Sequence, residues 1–299
     1  MIHIIQLLIY GIQLGSVYAL LAIGYTMVYG IVGMINFVHG DFLMIGAFAS
    51  YFGLTLGAMY ANSPLYVTCA LLLACIITGL VSVSVERVAY KPLRSKPRLS
   101  ALITAIGVSL FIENLFRSLK FIGPTPRGFP VFITSKVHSL GPISVNNLSL
   151  IVICVTIVLM LGMNFLIGKT KIGWQMRAVS LDKDAAALMG INVNRIISIT
   201  FFIGAVLAAV TGILYSMMYP LIDVYMGTWL GTKAFIAAVF GGIGDIRGAM
   251  FGGIVLGAIE VLASAVNSSI GYMVAFIILI LVLIFKPAGL LGNTTVEKV

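Results

Sequence analysis

Seven ionisable side chains sit inside or beside long apolar runs of this 299-residue sequence: His39, Asp41, Glu113, Arg117, Asp245, Arg247 and Glu260. Such groups are costly in an apolar solvent, so each raises a question of use. Glu113 and Arg117 are four apart, on one face of a helix, a spacing that permits an ion pair. His39 and Asp41 flank Gly40 in "NFVHGDF" (36–42). An acid there is favoured by the dipole of a helix start. The pair suits either a cap at the membrane interface or a contact to a neighbouring subunit. Asp245 and Arg247 lie in "GGIGDIRG" (241–248). That stretch reads either as a turn at the membrane surface or as a break, with Gly241, Gly242 and Gly244, that lines a passage and gates it. Glu260 has no obvious partner in sequence and should face protein rather than lipid. No nucleophile–base set, metal-ligand spacing or phosphate-cradling G-x-x-x-x-G-K-[ST] appears. The chain is therefore expected to be no enzyme, to hold no cofactor or metal, and to bind no ATP itself.

A second chemical feature is polar. "KTKIGWQMRAVSLDKDAAALMGINVNR" (169–195) carries seven charges in 27 residues, in a protein only 9% charged. Ser180 can cap a helix, Asp182 and Asp184 suit its first turn, and Gly190 can end it in the left-handed conformation. Leu181, Ala185 and Leu188 share a face. The segment predicts a short capped helix over 181–189, lying along the membrane surface. It serves either as a plain connector or as a docking element for a partner.

The elements that position these groups follow from composition. The chain is 61% hydrophobic, with mean hydropathy +1.14, against about 45–50% apolar residues in soluble domains. Lipid is the fitting solvent. Long unbroken apolar runs favour helices over a barrel. The net charge of +9 lies between the runs, where topology places it, which argues against a nucleic-acid partner. Spans of about 20 residues fit 4–31, 40–60, 65–85, 99–119, 148–168, 196–218 and 268–286. The run 233–266 is too long for one span and reads as two shorter helices or a re-entrant pair. The fold class is thus an all-α polytopic membrane protein of eight or nine membrane elements, one domain over 1–299. The first run is too long for a signal peptide.

Arg87, Lys91, Arg94, Lys96 and Arg98 fill loop 86–98, and Lys169, Lys171, Arg177, Lys183 and Arg195 fill 169–195. Two spans separate the loops, so both face the cytoplasm and the N-terminus lies outside. The Pro- and Gly-rich segment 120–147 becomes an irregular extracytoplasmic loop. The side of the C-terminal tail depends on the form of 233–266. Cys69, Cys75 and Cys154 lie in apolar runs without redox or zinc spacing and read as buried packing residues. Gly248/Gly252, Ala249/Gly253 and Gly253/Gly257 have the small-xxx-small spacing of close helix packing; a glycine-lined passage is the other reading.

"DAAALMG" (184–190) resembles the coupling-helix motif of ABC importer permeases. Asp184 stands in place of the motif's Glu; Ala185, Ala186 and Gly190 match; the Ile-x-Leu-Pro that usually follows is missing. "LGSVYALLAIGYTMVYGIVGMINFVHGDFLMIGAF" (14–48), "GTKAFIAAVFGGIGDIRGAMFGGIVLGAIE" (231–260) and "PAGLLG" (287–292) resemble LivH-type permease subunits of branched-chain amino acid importers. The resemblance covers nearly the whole chain. It implies a multi-pass subunit of the bacterial inner membrane. Its partners would be a LivM-like second permease, an extracytoplasmic binding protein and two ATPase subunits that hold ATP and Mg. Asp184, Ala185, Ala186 and Gly190 would couple to an ATPase, and a bulky charge at Ala186 would uncouple transport. Import of urea, short amides or other amino acids stays open. A passive channel or an ion-coupled transporter gives the capped helix no job.

Overall fold

The computed structural model describes residues 2–57, 63–94, 96–140 and 143–292. The helices are α1 (Ile2–Val32), α2 (His39–Leu56), α3 (Pro64–Val85), α4 (Arg98–Ser118), α5 (Asn147–Lys169), α6 (Lys171–Leu181), α7 (Lys183–Leu188), α8 (Val193–Met218), α9 (Met226–Gly241), α10 (Ile246–Val266) and α11 (Ser268–Phe285). Among the described residues, seven helices are long and apolar enough to cross a membrane: α1, α3, α4, α5, α8, α10 and α11. The run 233–266 is two helices, α9 and α10, as one sequence reading had it. The stretch expected as a span at 40–60 is α2, which ends at Leu56; residues 58–60 lie outside the described ones.

Short polar side chains set most helix starts. Asn146, Thr170, Asp182, Asn192, Asp245 and Asn267 each accept a hydrogen bond from a backbone N–H of the first turn they precede. Pro64 opens α3, where a missing N–H costs nothing. α3 runs on through a π turn (Glu86–Tyr90) and a 3₁₀ turn (Lys91–Leu93). Gly33 ends α1 at φ +75°.

Two ends can be told apart. At one, the Arg94 guanidinium donates to Asn194 Oδ1 at 2.6 Å, and Lys183 Nζ donates to the Val32 carbonyl at 2.9 Å. The two basic loops therefore share an end, as their charge requires. At the opposite end, Gln6 exchanges two hydrogen bonds with the Ser144 backbone. Segment 120–147 is more ordered than expected: β1 (Arg127–Gly128) pairs with β4 (Leu221–Ile222), and β2 (Val137–Leu140) pairs with β3 (Ile143–Asn146). Gly141 and Pro142 lie outside the described residues. The fold is mainly helical rather than purely so.

Glycine lets the central helices touch through their backbones. A β-carbon at Gly253 would lie 2.3 Å from Ala19 Cα, and one at Gly257 2.2 Å from the Gly15 nitrogen, so α1 and α10 meet along this seam. Gly248 and Gly252 face Gly241 and Ala237 of α9. The small-residue spacing thus packs one chain on itself, on two faces of α10. By contrast Cys69 and Cys154 are exposed and only Cys75 is buried. The expectation of three buried thiols fails because α3 and α5 are outer helices with one face toward the surroundings.

Gly257→Val should lower the thermal midpoint of the solubilised protein strongly, at about 1–3 kcal/mol or more for forced overpacking. Gly107→Ala is the control: it meets nothing within 4 Å and should leave stability unchanged or raise it by up to ~1 kcal/mol.

Candidate functional site

At the basic end, Thr170 breaks the chain from α5, and its hydroxyl caps α6 by accepting from Gly173 N at 3.1 Å. α6 ends at Asp182, whose Oδ1 accepts from Asp184 N at 2.8 Å and Ala185 N at 3.0 Å. The cap is Asp182, not Ser180. Ser180 is still inside the last turn of α6, its hydroxyl donating to the Arg177 carbonyl at 2.8 Å, whereas Asp182 takes the extended conformation that a cap needs. Gly190 stops α7 at φ +82°, as its position predicted.

The exposed surface of α7 differs from the expected one. Leu181, Leu188 and Met189 are 88%, 89% and 83% exposed, whereas Ala186 is 4% exposed. Asp184 and Ala185 are exposed beside them. Ala186 faces inward because the short helix lies on α6 and α8, and its carbonyl accepts from Ile191 N at 3.1 Å. A charge at Ala186 would therefore break local packing before it touched a partner. Lys183 anchors α7 to the C-terminus of α1, where a cation meets free carbonyls and the negative end of the dipole. Partial burial, with the nearby Arg94 charge, holds the Lys183 pKa below its ordinary value, against a smaller opposing effect of Asp184.

Inside the helix bundle Glu260, Glu113 and Arg117 find partners that the sequence did not reveal. Lys233 of α9 donates to Glu260 Oε1 at 2.5 Å, and the Tyr18 hydroxyl donates to Glu260 Oε2 at 3.0 Å. The Lys233 ammonium lies 4.9 Å from the Tyr272 ring centroid. α1, α9, α10 and α11 are thereby tied at one point. Glu260 does face protein, as expected. The signal available was a lone Lys and a lone Glu on consecutive apolar helices.

Glu113 and Arg117 form no ion pair. The Glu113 carboxylate accepts from the Thr228 hydroxyl of α9, and the Arg117 guanidinium lies over the Tyr225 ring at 5.5 Å. Both side chains turn toward α9 and the segment before it. A 190 Å³ cavity here is lined by Tyr25, Ser109, Glu113, Thr228 and Thr232, among others.

His39 and Asp41 do open α2, but within the fold and not at a surface: each is 1% exposed. A β-carbon at Gly24 would lie 2.3 Å from His39 Nε2, and one at Gly40 2.3 Å from the Gly227 carbonyl. The chain needs these glycines to turn back from α1 and enter the bundle. Tyr25 packs edge-on against the His39 ring at 4.6 Å.

The 241–248 stretch is a tight turn between α9 and α10. Gly242 and Gly244 take φ values of +115° and +101°. Asp245 Oδ1 accepts from Arg247 N at 2.8 Å, while the Arg247 side chain is exposed. The segment after α11 closes over this turn: Leu290 N and Leu291 N donate to the Phe240 and Gly241 carbonyls, each at 2.9 Å. A β-carbon at Gly30 near the end of α1 would lie 3.6 Å from Gly244, so residues 286–292 share the basic end. Residues 293–299 lie outside the described ones.

A family model described as "Branched-chain amino acid transport system / permease component" matches residues 7–283. The chain is similar to the high-affinity branched-chain amino acid transport system permease protein BraD of Pseudomonas aeruginosa, at 44% identity over 99% of this chain and 98% of that protein. It is similar to the LivH permease of the same system in Escherichia coli K12, at 40% identity over 100% and 98%. A probable branched-chain amino acid permease LivH of Methanocaldococcus jannaschii shares 28% over 91% and 88%. No solved structure matches the chain.

Lys233→Met alone strands the Glu260 carboxylate among apolar helices and should cost about 3–5 kcal/mol. Lys233→Met with Glu260→Leu should recover much of that loss, read as folded yield and thermal midpoint of the solubilised protein.

Proposed function

The chain belongs to the branched-chain amino acid transport permease family, and on that premise we propose how it takes part in import. It is a permease subunit of an ATP-driven importer for leucine, isoleucine and valine. An extracytoplasmic binding protein delivers the amino acid, and ATP is hydrolysed by separate subunits. The chain is multi-pass and sits in the inner membrane, its basic end toward the cytoplasm by the positive-inside rule. A LivM-like second permease completes the passage, and two ATPases flank the cytoplasmic side. Full-length identity of 40–44% to permeases of this system is the observation that carries the substrate class.

α7 is the element proposed to dock an ATPase. Its support is physical: Leu181, Leu188 and Met189 stand exposed at the basic end, beyond the spans that lipid covers, and large apolar side chains in water invite a partner. Asp184 and Ala185 complete that surface; Ala186 and Gly190 shape it from behind. Motion of α7 would pass to α1 through the Lys183 contact with Val32. The turn formed by Gly241, Gly242, Gly244, Asp245 and Arg247 lies at the same end and is proposed as the neighbouring gate. His39 and Asp41 are assigned to the subunit's own interior rather than to an interface.

Radiolabelled leucine uptake is the test, in vesicles holding this chain with its co-purified partners, with and without ATP on the cytoplasmic side. ATP-dependent accumulation is expected; equilibration without ATP would point to a channel. Bound ATPases with no leucine uptake would redirect the search to urea and amides. Leu188→Arg should leave membrane insertion intact and cut uptake at least about tenfold, the effect of losing roughly 1.4 kcal/mol of docking. Uptake equal to the unmodified chain would remove α7 from the docking role.

A further inference from the structure

Where the end of α3 meets the start of α8, the basic end holds a cleft of about 560 Å³. Arg87, Lys91, Arg94 and Arg195 line it, with Asn192, Asn194 and Ser198. Its single acid, Glu86, is 1% exposed and already committed: it pairs with Arg94 and accepts from the Ser198 hydroxyl at 2.7 Å. Arg94 also donates to Asn194, so its guanidinium is held from two sides. Arg87, Lys91 and Arg195 are exposed, and no described acid pairs with them. The cleft keeps three cations without a counter-charge among the described residues.

The opposite wall is apolar. Val83, Ile199 and Phe202 continue the cleft down between the two helices. Gly79 makes this possible, since a β-carbon there would lie 2.5 Å from the Phe202 ring. Further along α3, Leu72, Leu73, Ile76, Ile77 and Leu80 are exposed, the face that hydrocarbon covers. The cleft is thus basic where α3 leaves the membrane and apolar where α3 is inside it. The π turn at Glu86–Tyr90 widens the backbone at this boundary.

We propose that this cleft binds the phosphate of an anionic phospholipid, with an acyl chain along Val83, Ile199 and Phe202. Phosphate is the matching chemistry because guanidinium groups meet it with paired, charge-assisted hydrogen bonds. Basic pockets between spanning helices are a recognised seat for anionic headgroups. A lipid satisfies both walls; a free phosphate satisfies only one. A docked soluble protein would reach the basic rim but not the apolar floor.

The test is thermal unfolding of the solubilised importer, with its partner subunits bound, in rising phosphatidylglycerol, phosphatidylcholine or inorganic phosphate. The expected result is a saturable rise in midpoint with phosphatidylglycerol alone. In the double variant Arg87→Gln/Arg195→Gln, half-saturation should need on the order of tenfold more lipid or beyond, since two charge-assisted contacts to the phosphate are lost. Phe202→Ala, which leaves every cation in place, should weaken the same response. Three results would overturn the proposal: an equal response to inorganic phosphate, an unchanged response in the double variant, or loss of the ATPase subunits from that variant with lipid response intact.

Discussion

α1 and α10 touch backbone to backbone because Gly11, Gly15, Gly253 and Gly257 carry no side chains to separate them. In lipid this contact carries more of the load than it would in water. Hydrocarbon is as apolar as a leucine side chain, so helices gain little by hiding apolar surface from it. What remains is close van der Waals contact and polar ties. The α1–α10 seam supplies the first. Lys233, Glu260 and Tyr18 supply the second at the same place. α9 is held by both, through Gly241 and Ala237 against Gly248 and Gly252, and α2 is admitted only because Gly24, Gly40 and Gly227 leave room for its first turn.

The outer helices are built otherwise. α3, α4, α5 and α11 expose Leu, Ile, Val and Phe along their length, and have few glycines in backbone contact with neighbours. α2 and α9 are shorter than the spans around them and are buried along much of their length. Both begin inside the fold, their first turns meeting at Gly40 and Gly227. Breaks in helices are tolerated at membrane depth only where protein or a polar cavity satisfies the freed backbone. Here Glu113, Thr228, Ser109 and Tyr25 provide polar surroundings next to the break.

What the sequence disclosed was local. The left-handed Gly190 and the shared side of the two basic loops depend on a few adjacent residues or on charge count. Glu260 facing protein also followed from one residue in an apolar run. Its partner did not, because Lys233 lies 27 residues earlier, beyond a turn whose geometry is tertiary. The Glu113–Arg117 pairing failed for the same reason: spacing permits a contact on one helix, while Thr228 of α9 takes Glu113 and Tyr225, just before α9, takes Arg117. Placing His39 and Asp41 at a membrane surface failed because Gly24 of α1 and Gly227 of α9 leave room for the start of α2 inside the fold. The cap fell on Asp182 rather than Ser180 because α6 runs on through Ser180 to Leu181, a helix end that a sequence pattern alone does not decide.

These contacts bear on how a small helix at the basic end could move a membrane-spanning bundle. α7 is six residues long, too short to be stable alone, so its position is set by what holds it. Asp182 caps it, α6 and α8 bury Ala186, and Lys183 grips the end of α1. A pull on Leu181 and Leu188 would therefore load α1 directly. α1 cannot slide along α10 by a fraction of a turn, because a glycine seam fits at one register and the Tyr18–Glu260–Lys233 tie fixes that register. Close-packed contacts are bistable rather than continuously deformable. On the proposed function, α1 and α10 with α9 would shift as one body against the lightly packed α4, and the cavity between α4 and α9 is where such a shift would open or close a path.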